Sequence, residues 1–269
     1  MATKILIIGN SGTGKSTSLR TLPPEQTQII RVVNKNLPFR ESAFKIVDTD
    51  DYAKIKTALV QSPLPICVID DVQYLLANEF MRRATEKGFE KFTELARNFW
   101  DLLNTIDKLP NNKTVYLLSH LETDGDREKF KTIGKLLDEK ITIEGLFTIV
   151  LKSGVEITGD DKNRYIFHTQ NNGKDTVKSP IGLFEDARID NDLWMIDKKI
   201  REYYGIELDD AKVSTPPYSE ETDKFLSMIR NAKTKESLQE IGARIKESTL
   251  PETQKEIIRS VYKNKVTEL

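Results

Sequence analysis

The segment IGNSGTGKSTSLRTL, from Ile8 to Leu22, contains a glycine, four further residues and then Gly-Lys-Ser. This is the spacing of a phosphate-holding loop. Gly9, Gly12 and Gly14 let backbone N–H groups turn inward around an anion, with Asn10, Ser11 and Thr13 completing the turn and Thr17 following it. In such a loop Lys15 reaches the terminal phosphates and the Ser16 hydroxyl is offered to Mg²⁺. The motif requires a strand before it and a helix after it. Lys4–Ile8 is a short apolar run, and Lys15–Leu22 reads as a helix stopped by Pro23 and Pro24. The positive end of that helix would favour the phosphates.

A second stretch, ICVIDD, supplies carboxylates. Asp70 ends an apolar strand, where it can hold Mg²⁺ through water. Asp71 can polarise an attacking water or cap the next helix. The run TVYLLSH places Ser119 and His120 at the end of another buried strand. Ligands of open α/β sheets bind at the carboxyl ends of strands, so His120 is a candidate sensor of the γ-phosphate; a structural histidine is the alternative.

The elements that must position these groups alternate. TQIIRVV, FKIVD and PICVID read as strands, and DYAKIKTALVQ as a helix. A long charged helical region runs from about Tyr74 to Leu109. Strand and helix alternation over the first 120 residues predicts an α/β fold with a parallel, doubly wound sheet. LFTIVLKSG and RYIFHTQ, separated by the turn-rich VEITGDDKN, read as antiparallel strands added at the sheet edge. The expected organisation is a core over 1–207, a Pro- and Ser-containing linker over 208–219, and a small helical module over 220–269 built from SEETDKFLSMIRNA, TKESLQEIGARIKEST and LPETQKEIIRSVYKNK.

Composition excludes several classes. With 41 Lys+Arg against 42 Asp+Glu, the chain is no generic polyanion binder, so any nucleic-acid contact must be local. One cysteine, Cys67, cannot form an internal disulfide and reads as a buried core residue in a reducing cytosol. No stretch approaches the ~18 apolar residues of a membrane span, and no signal peptide is expected. Two histidines and one cysteine cannot build the usual zinc sites.

The order of these pieces resembles the RecA-like ATPase core, and most closely the compact RecA-like single-strand annealing proteins of phages, over about Lys4 to Glu185. The resemblance implies a P-loop NTPase with a RecA-like, mainly parallel sheet, ATP and Mg²⁺ as cofactors, and location in the cytoplasm of a phage-infected bacterial host. It maps a first DNA-binding loop and a helix onto Asn78–Leu103, with Arg82, Arg83, Lys87 and Phe89 in the loop-like part. A second maps onto Leu121–Leu137, with Arg127, Lys129, Lys131 and Lys135. Both loops mix acids with bases, and a solvated charged helix face is the competing reading. His120 stands where the family normally has a glutamine sensor. In DTVKSPIGLFE, Lys178 matches a lysine that reaches a neighbouring subunit's ATP, with Lys174 a weaker candidate and an ordinary surface lysine the alternative.

Two departures stand out. The family's water-activating glutamate at the end of the second strand is replaced by Asn34 and Lys35, and Glu41 lies further along. Either Asp71 does that work or hydrolysis is slow. The P-loop also begins at Gly9, leaving no leader to pack on a neighbour, so the C-terminal helices would supply the assembly contact or bind a partner such as single-stranded DNA-binding protein. The leading expectation is a DNA-stimulated ATPase that coats single-stranded DNA as a homo-oligomeric ring or filament and promotes annealing or recombination. Alternatives are an AAA+-type loader or remodelling ATPase, a small-molecule or nucleotide kinase, and a nucleotide-switch adaptor with little hydrolysis.

Overall fold

The computed structural model describes residues 1–41, 43–134, 136–157, 163–206, 220–248, 250, 255, 258–259, 261–263 and 265–266. These fall into two compact units: Met1–Tyr52 with Leu64–Leu208, and Ala53–Pro63 with Asp209–Leu269. The expected linker over 208–219 lies outside the described residues.

The first unit is built on strands β1 (Thr3–Gly9), β2 (Thr27–Arg31), β3 (Lys45–Asp48), β4 (Ile66–Asp70), β5 (Thr114–Asp124), β6 (Arg127–Phe130), β7 (Ile149–Ile157), β8 (Asn163–His168) and β9 (Arg188–Asp190). They form one sheet in the order β3-β2-β4-β5-β1-β7-β8-β9, with β6 paired to β5. All pairings from β3 through β7 are parallel, whereas β7–β8, β8–β9 and β5–β6 are antiparallel. This is the P-loop NTPase fold, α/β with a mainly parallel sheet.

Parallel strands are buried on both faces and therefore read as unbroken apolar runs. In β1, Ile5 and Ile7 face one layer with Leu19, Leu22 and Leu193, Ile196 and Ile200. Leu6 and Ile8 are equally buried on the alternate face, where helix α3 (Glu90–Asp107) packs against β1. The long charged stretch splits into α2 (Gln73–Arg82) and α3, because Gly88 at φ +99° breaks the helix between them.

The structure corrects four expectations. The segment after the P-loop is a six-residue 3-10 helix, Ser16–Thr21, rather than a helix reaching Leu22, since the two prolines leave no room for more. Strand β7 is not an edge strand: it pairs parallel with β1 and carries β8 on its other side. Strand β5 runs past His120 to Asp124 and turns back into β6 at Gly125, so the stretch expected as a loop begins as a hairpin. Helix α4 (Leu193–Tyr204) was not expected, although it carries legible ends: the Asp192 side chain accepts from Met195 N, and Gly205 terminates it in the left-handed region.

The second unit contains α1 (Tyr52–Gln61), which is Ala53 onward in that unit, α5 (Glu220–Asn231) and α6 (Lys235–Glu247). Thr234 caps α6 by accepting from Ser237 N. Phe225, Leu226, Ile229, Leu238, Ile241 and Ile245 form a core joined by Leu250, Ile258 and Val261 from the third expected helix, half of which lies outside the described residues. The apolar stripes of these helices thus face a core inside the module.

Candidate functional site

Strand order brings the chemistry together. Inserting β5 between β1 and β4 aligns three carboxyl ends: Gly9 is the register partner of His120, and Asp70 that of Arg31 on β2. The chain leaves β1 toward β2, beyond β5 and β4, and returns to β7 on the other side. That is a switch point, where an open parallel sheet forms a crevice for ligands.

The loop itself is braced from the antiparallel side of the sheet. Thr13 Oγ1 lies 2.6 Å from Ser153 Oγ on β7, and donates to Asn10 O at 2.8 Å. Asn191, buried just past β9, donates Nδ2 to Gly14 O at 3.1 Å and accepts from Arg20 at 3.0 Å. The Tyr165 ring on β8 lies against Gly14. Ser153, Tyr165 and Asn191 carry no local sequence signal; only tertiary pairing reveals them. A Cβ on Gly9 would lie 2.1 Å from Ser153 Oγ and 2.7 Å from Thr13 Oγ1. Gly9→Ala is therefore expected to cost about 1–3 kcal/mol, read by urea unfolding, and Ser153→Ala in the same chain should return part of it.

Lys15 is buried and donates to Gly9 O and Asn10 O, both at 2.8 Å. Among the described residues no carboxylate lies within ion-pair distance of it. Burial lowers its pKa to about 8, against the pull of Asp71 and Asp70. Ser16 Oγ donates to both oxygens of Asp70, at 2.9 and 3.1 Å. Burial, with the neighbouring charge of Asp71 next, raises the Asp70 carboxyl to about 6.

Asp71 is not the helix cap. It sits in the left-handed region at φ 61°, and Val72, without a side-chain cap, precedes α2. Its buried carboxylate is ion-paired to Lys35 and lies 3.5 Å from His120 Nε2. Burial works against the Lys35 ammonium, but hydrogen bonding and attraction from Asp71 outweigh it and raise its pKa. His120 is shifted down, by burial first and then by Lys15, which leaves a neutral imidazole at pH 7. Its backbone N–H donates to Gln73 Oε1 at 3.2 Å, and Tyr74 meets its ring edge-on. Glu41 is engaged elsewhere, accepting from Arg31 and from Leu37 N at 2.8 and 2.9 Å.

A scan against protein-family models and a search of curated proteins find no match to this chain. Among solved structures, the ATPase DotB of Legionella pneumophila is similar at 10% identity and a TM-score of 0.31, over 62% of this chain and 45% of that one. The chain thus spans less than half the length of that protein. A likeness this slight has no bearing on activity, and the fold assignment rests on sheet order and the P-loop.

Of the other expected site residues, Lys131 lies beside the crevice, its backbone N–H donating to His120 O at 3.1 Å and its charge helping to lower the His120 pKa. Backbone hydrogen bonds in both directions join Lys178 to Val150 of β7, level with Leu6 rather than with Gly9. Arg82 pairs with Asp50 at 2.6 Å, and Arg83 with Glu79, Glu86 and Glu94. Lys87 is exposed and Phe89 is 88% exposed, between α2 and α3. On the β5–β6 hairpin Lys129 pairs with Asp124 at 2.9 Å, while Arg127 and Lys131 are exposed. Lys135 lies outside the described residues.

Proposed function

We propose that this chain binds ATP with Mg²⁺ at the P-loop and hydrolyses it. The observation that carries the proposal is a complementary shortage of charge. Lys15 is a buried cation whose hydrogen bonds, among the described residues, go to carbonyl oxygens, with no carboxylate within ion-pair distance. Asp70 and Asp71 are adjacent buried carboxylates, one of them forced up to about 6. The two carboxylates share one half-exposed ammonium and the Ser16 hydroxyl, and buried charge compensated only in part is costly. A phosphate chain would answer the first shortage and a divalent cation the second. Ser16 and Asp70 are oxygen donors of the kind Mg²⁺ prefers, and Mg²⁺ needs few protein ligands when phosphates and water complete its shell.

In this reading the N–H groups of Gly9–Lys15 hold the phosphates, Lys15 exchanges its two carbonyl contacts for phosphate oxygens, and Ser16 and Asp70 hold the metal. The metal supplies neutralisation of charge on the phosphates. Asp71 orients the attacking water as acceptor. His120, held neutral, donates or accepts a hydrogen bond next to the loop. Titration calorimetry should show ATP binding that requires Mg²⁺. Binding of comparable strength without Mg²⁺, or no binding, would count against the assignment.

A finer reading is that single-stranded DNA stimulates turnover, with annealing or recombination as the outcome and a homo-oligomer as the acting form. It is supported by the order of segments and by exposed Phe89 beside Lys87, since base stacking on aromatics is sequence-tolerant. The pairing of Arg82, Arg83 and Lys129 to carboxylates weighs against a strong phosphate-binding patch. If the reading holds, ATP turnover rises with added single-stranded DNA and Phe89→Ala lowers that response. Turnover indifferent to DNA would remove it and leave the ATPase.

A further inference from the structure

The P-loop reading leaves Lys35, a charged group at the crevice, without a task. Lys35 stands where a water-activating acid was expected, in the loop that follows β2 at the same carboxyl edge as Gly9, Asp70 and His120. Its ammonium rests on Asp71. The partners are unequal: the Lys35 side chain is 48% exposed and that of Asp71 only 3%. The backbone beneath Lys35 is fixed. Arg31 donates to Lys35 O at 3.1 Å, and the same guanidinium is held by Asp48 at 2.6 Å and Glu41 at 2.8 Å. A long, half-exposed side chain on an anchored stem can move its tip while the loop stays put. The Asp71 backbone, by contrast, is held in a conformation that costs a non-glycine residue energy and that persists mainly where function uses it.

Building on the ATP-binding reading, we propose that Lys35 is the group that distinguishes ATP from ADP, by exchanging Asp71 for the terminal phosphate. With no nucleotide bound, Lys35 neutralises one of two adjacent buried carboxylate charges. When a metal shares the charge of that pair and a terminal phosphate offers a stronger anion, the ammonium has a better partner. Its departure uncovers Asp71, which then faces His120 and the crevice and is open to a water molecule. An acid lost from the second strand is thereby replaced by a two-residue device: Asp71 accepts, and Lys35 withholds it until the third phosphate arrives.

The test is equilibrium binding of fluorescent ATP and ADP analogues, with Mg²⁺, to the full chain and to the variants Lys35→Met, Lys35→Arg, Asp71→Asn and Lys15→Ala. The full chain should bind ATP about tenfold or more tightly than ADP, the value of one charge-assisted contact. Lys35→Met should bind ADP as the parent does and lose most of the preference for ATP. Lys35→Arg should keep part of it. Asp71→Asn, which removes the resting partner but suits the left-handed backbone, should increase it. The proposal is overturned if Lys35→Met keeps the parent's ratio, or loses both nucleotides equally together with melting temperature, as a purely structural ion pair would. If the parent binds neither nucleotide, the ATP reading falls and this one with it; if binding depends on Lys15 but the ratio ignores Lys35, only this one falls.

Discussion

Replacing Asp197 with alanine is expected to destabilise the sheet unit by about 3–5 kcal/mol. Asp197 on α4 is wholly buried, accepting from Thr114 Oγ1 at 2.7 Å, Tyr116 Oη at 2.8 Å and Arg201 Nε at 2.5 Å. Arg201 in turn donates to Asn112 O, Pro65 O and Thr114 Oγ1. The cluster ties α4 to the starts of β4 and β5. Removing the carboxylate strands a buried guanidinium, which accounts for most of the loss. At roughly 2–4 °C per kcal/mol for a unit of this size, the melting temperature should fall by about 10 °C. Asp197→Leu combined with Arg201→Met should recover much of it, because matched apolar replacements leave no orphaned charge. The cluster lies at the start of β5, away from His120 and the P-loop, so nucleotide binding per folded molecule should hold at low temperature.

Asp70→Asn is expected to act in opposite directions on turnover and stability. Without the carboxylate the metal position loses its charged ligand, and ATP turnover should drop by about 100-fold or more. The empty protein should become more stable at pH 7.5. The sign follows from burial and Asp71 raising the folded pKa to about 6 from 3.8. Between those values the folded state binds more protons than the unfolded state, so stability falls as pH rises, and the penalty is complete above pH 6. A neutral amide keeps an oxygen for Ser16 and carries no such penalty. A gain of about 1–3 kcal/mol at pH 7.5 that shrinks toward pH 4 is expected from urea unfolding across that range. Equal stability at both pH values would show that Asp70 is not held against its ionisation.

What the sequence made legible follows range of interaction. The P-loop spacing, the apolar runs of β1, β2, β4 and β5, and Asp70 at a strand end are local patterns, and each lies where expected. The strand character of Arg188–Asp190 and the parallel place of β7 were not legible, because a short strand takes its partner from tertiary context. The place of Lys35 is half visible in the sequence: it stands out as a departure at the end of the second strand, yet its pairing with Asp71 depends on β2 and β4 being neighbours. Ser153, Tyr165 and Asn191 were hidden for the same reason, each more than 100 residues from the loop it braces. The DNA-binding candidates follow from the resemblance and the order of segments, and neither shows which cations carboxylates already hold. Arg83, with three glutamates around it, is the plainest instance.

The central claim is that the Gly9–Ser16 loop holds ATP for hydrolysis, and phosphate release by the purified chain tests it most directly. With Mg²⁺ and ATP, the chain should release phosphate steadily, and Lys15→Ala should lower the rate by about 100-fold or more while leaving the melting temperature within a few degrees. Equal phosphate release by the parent and by Lys15→Ala would contradict the claim, because the activity would then come from somewhere other than this loop.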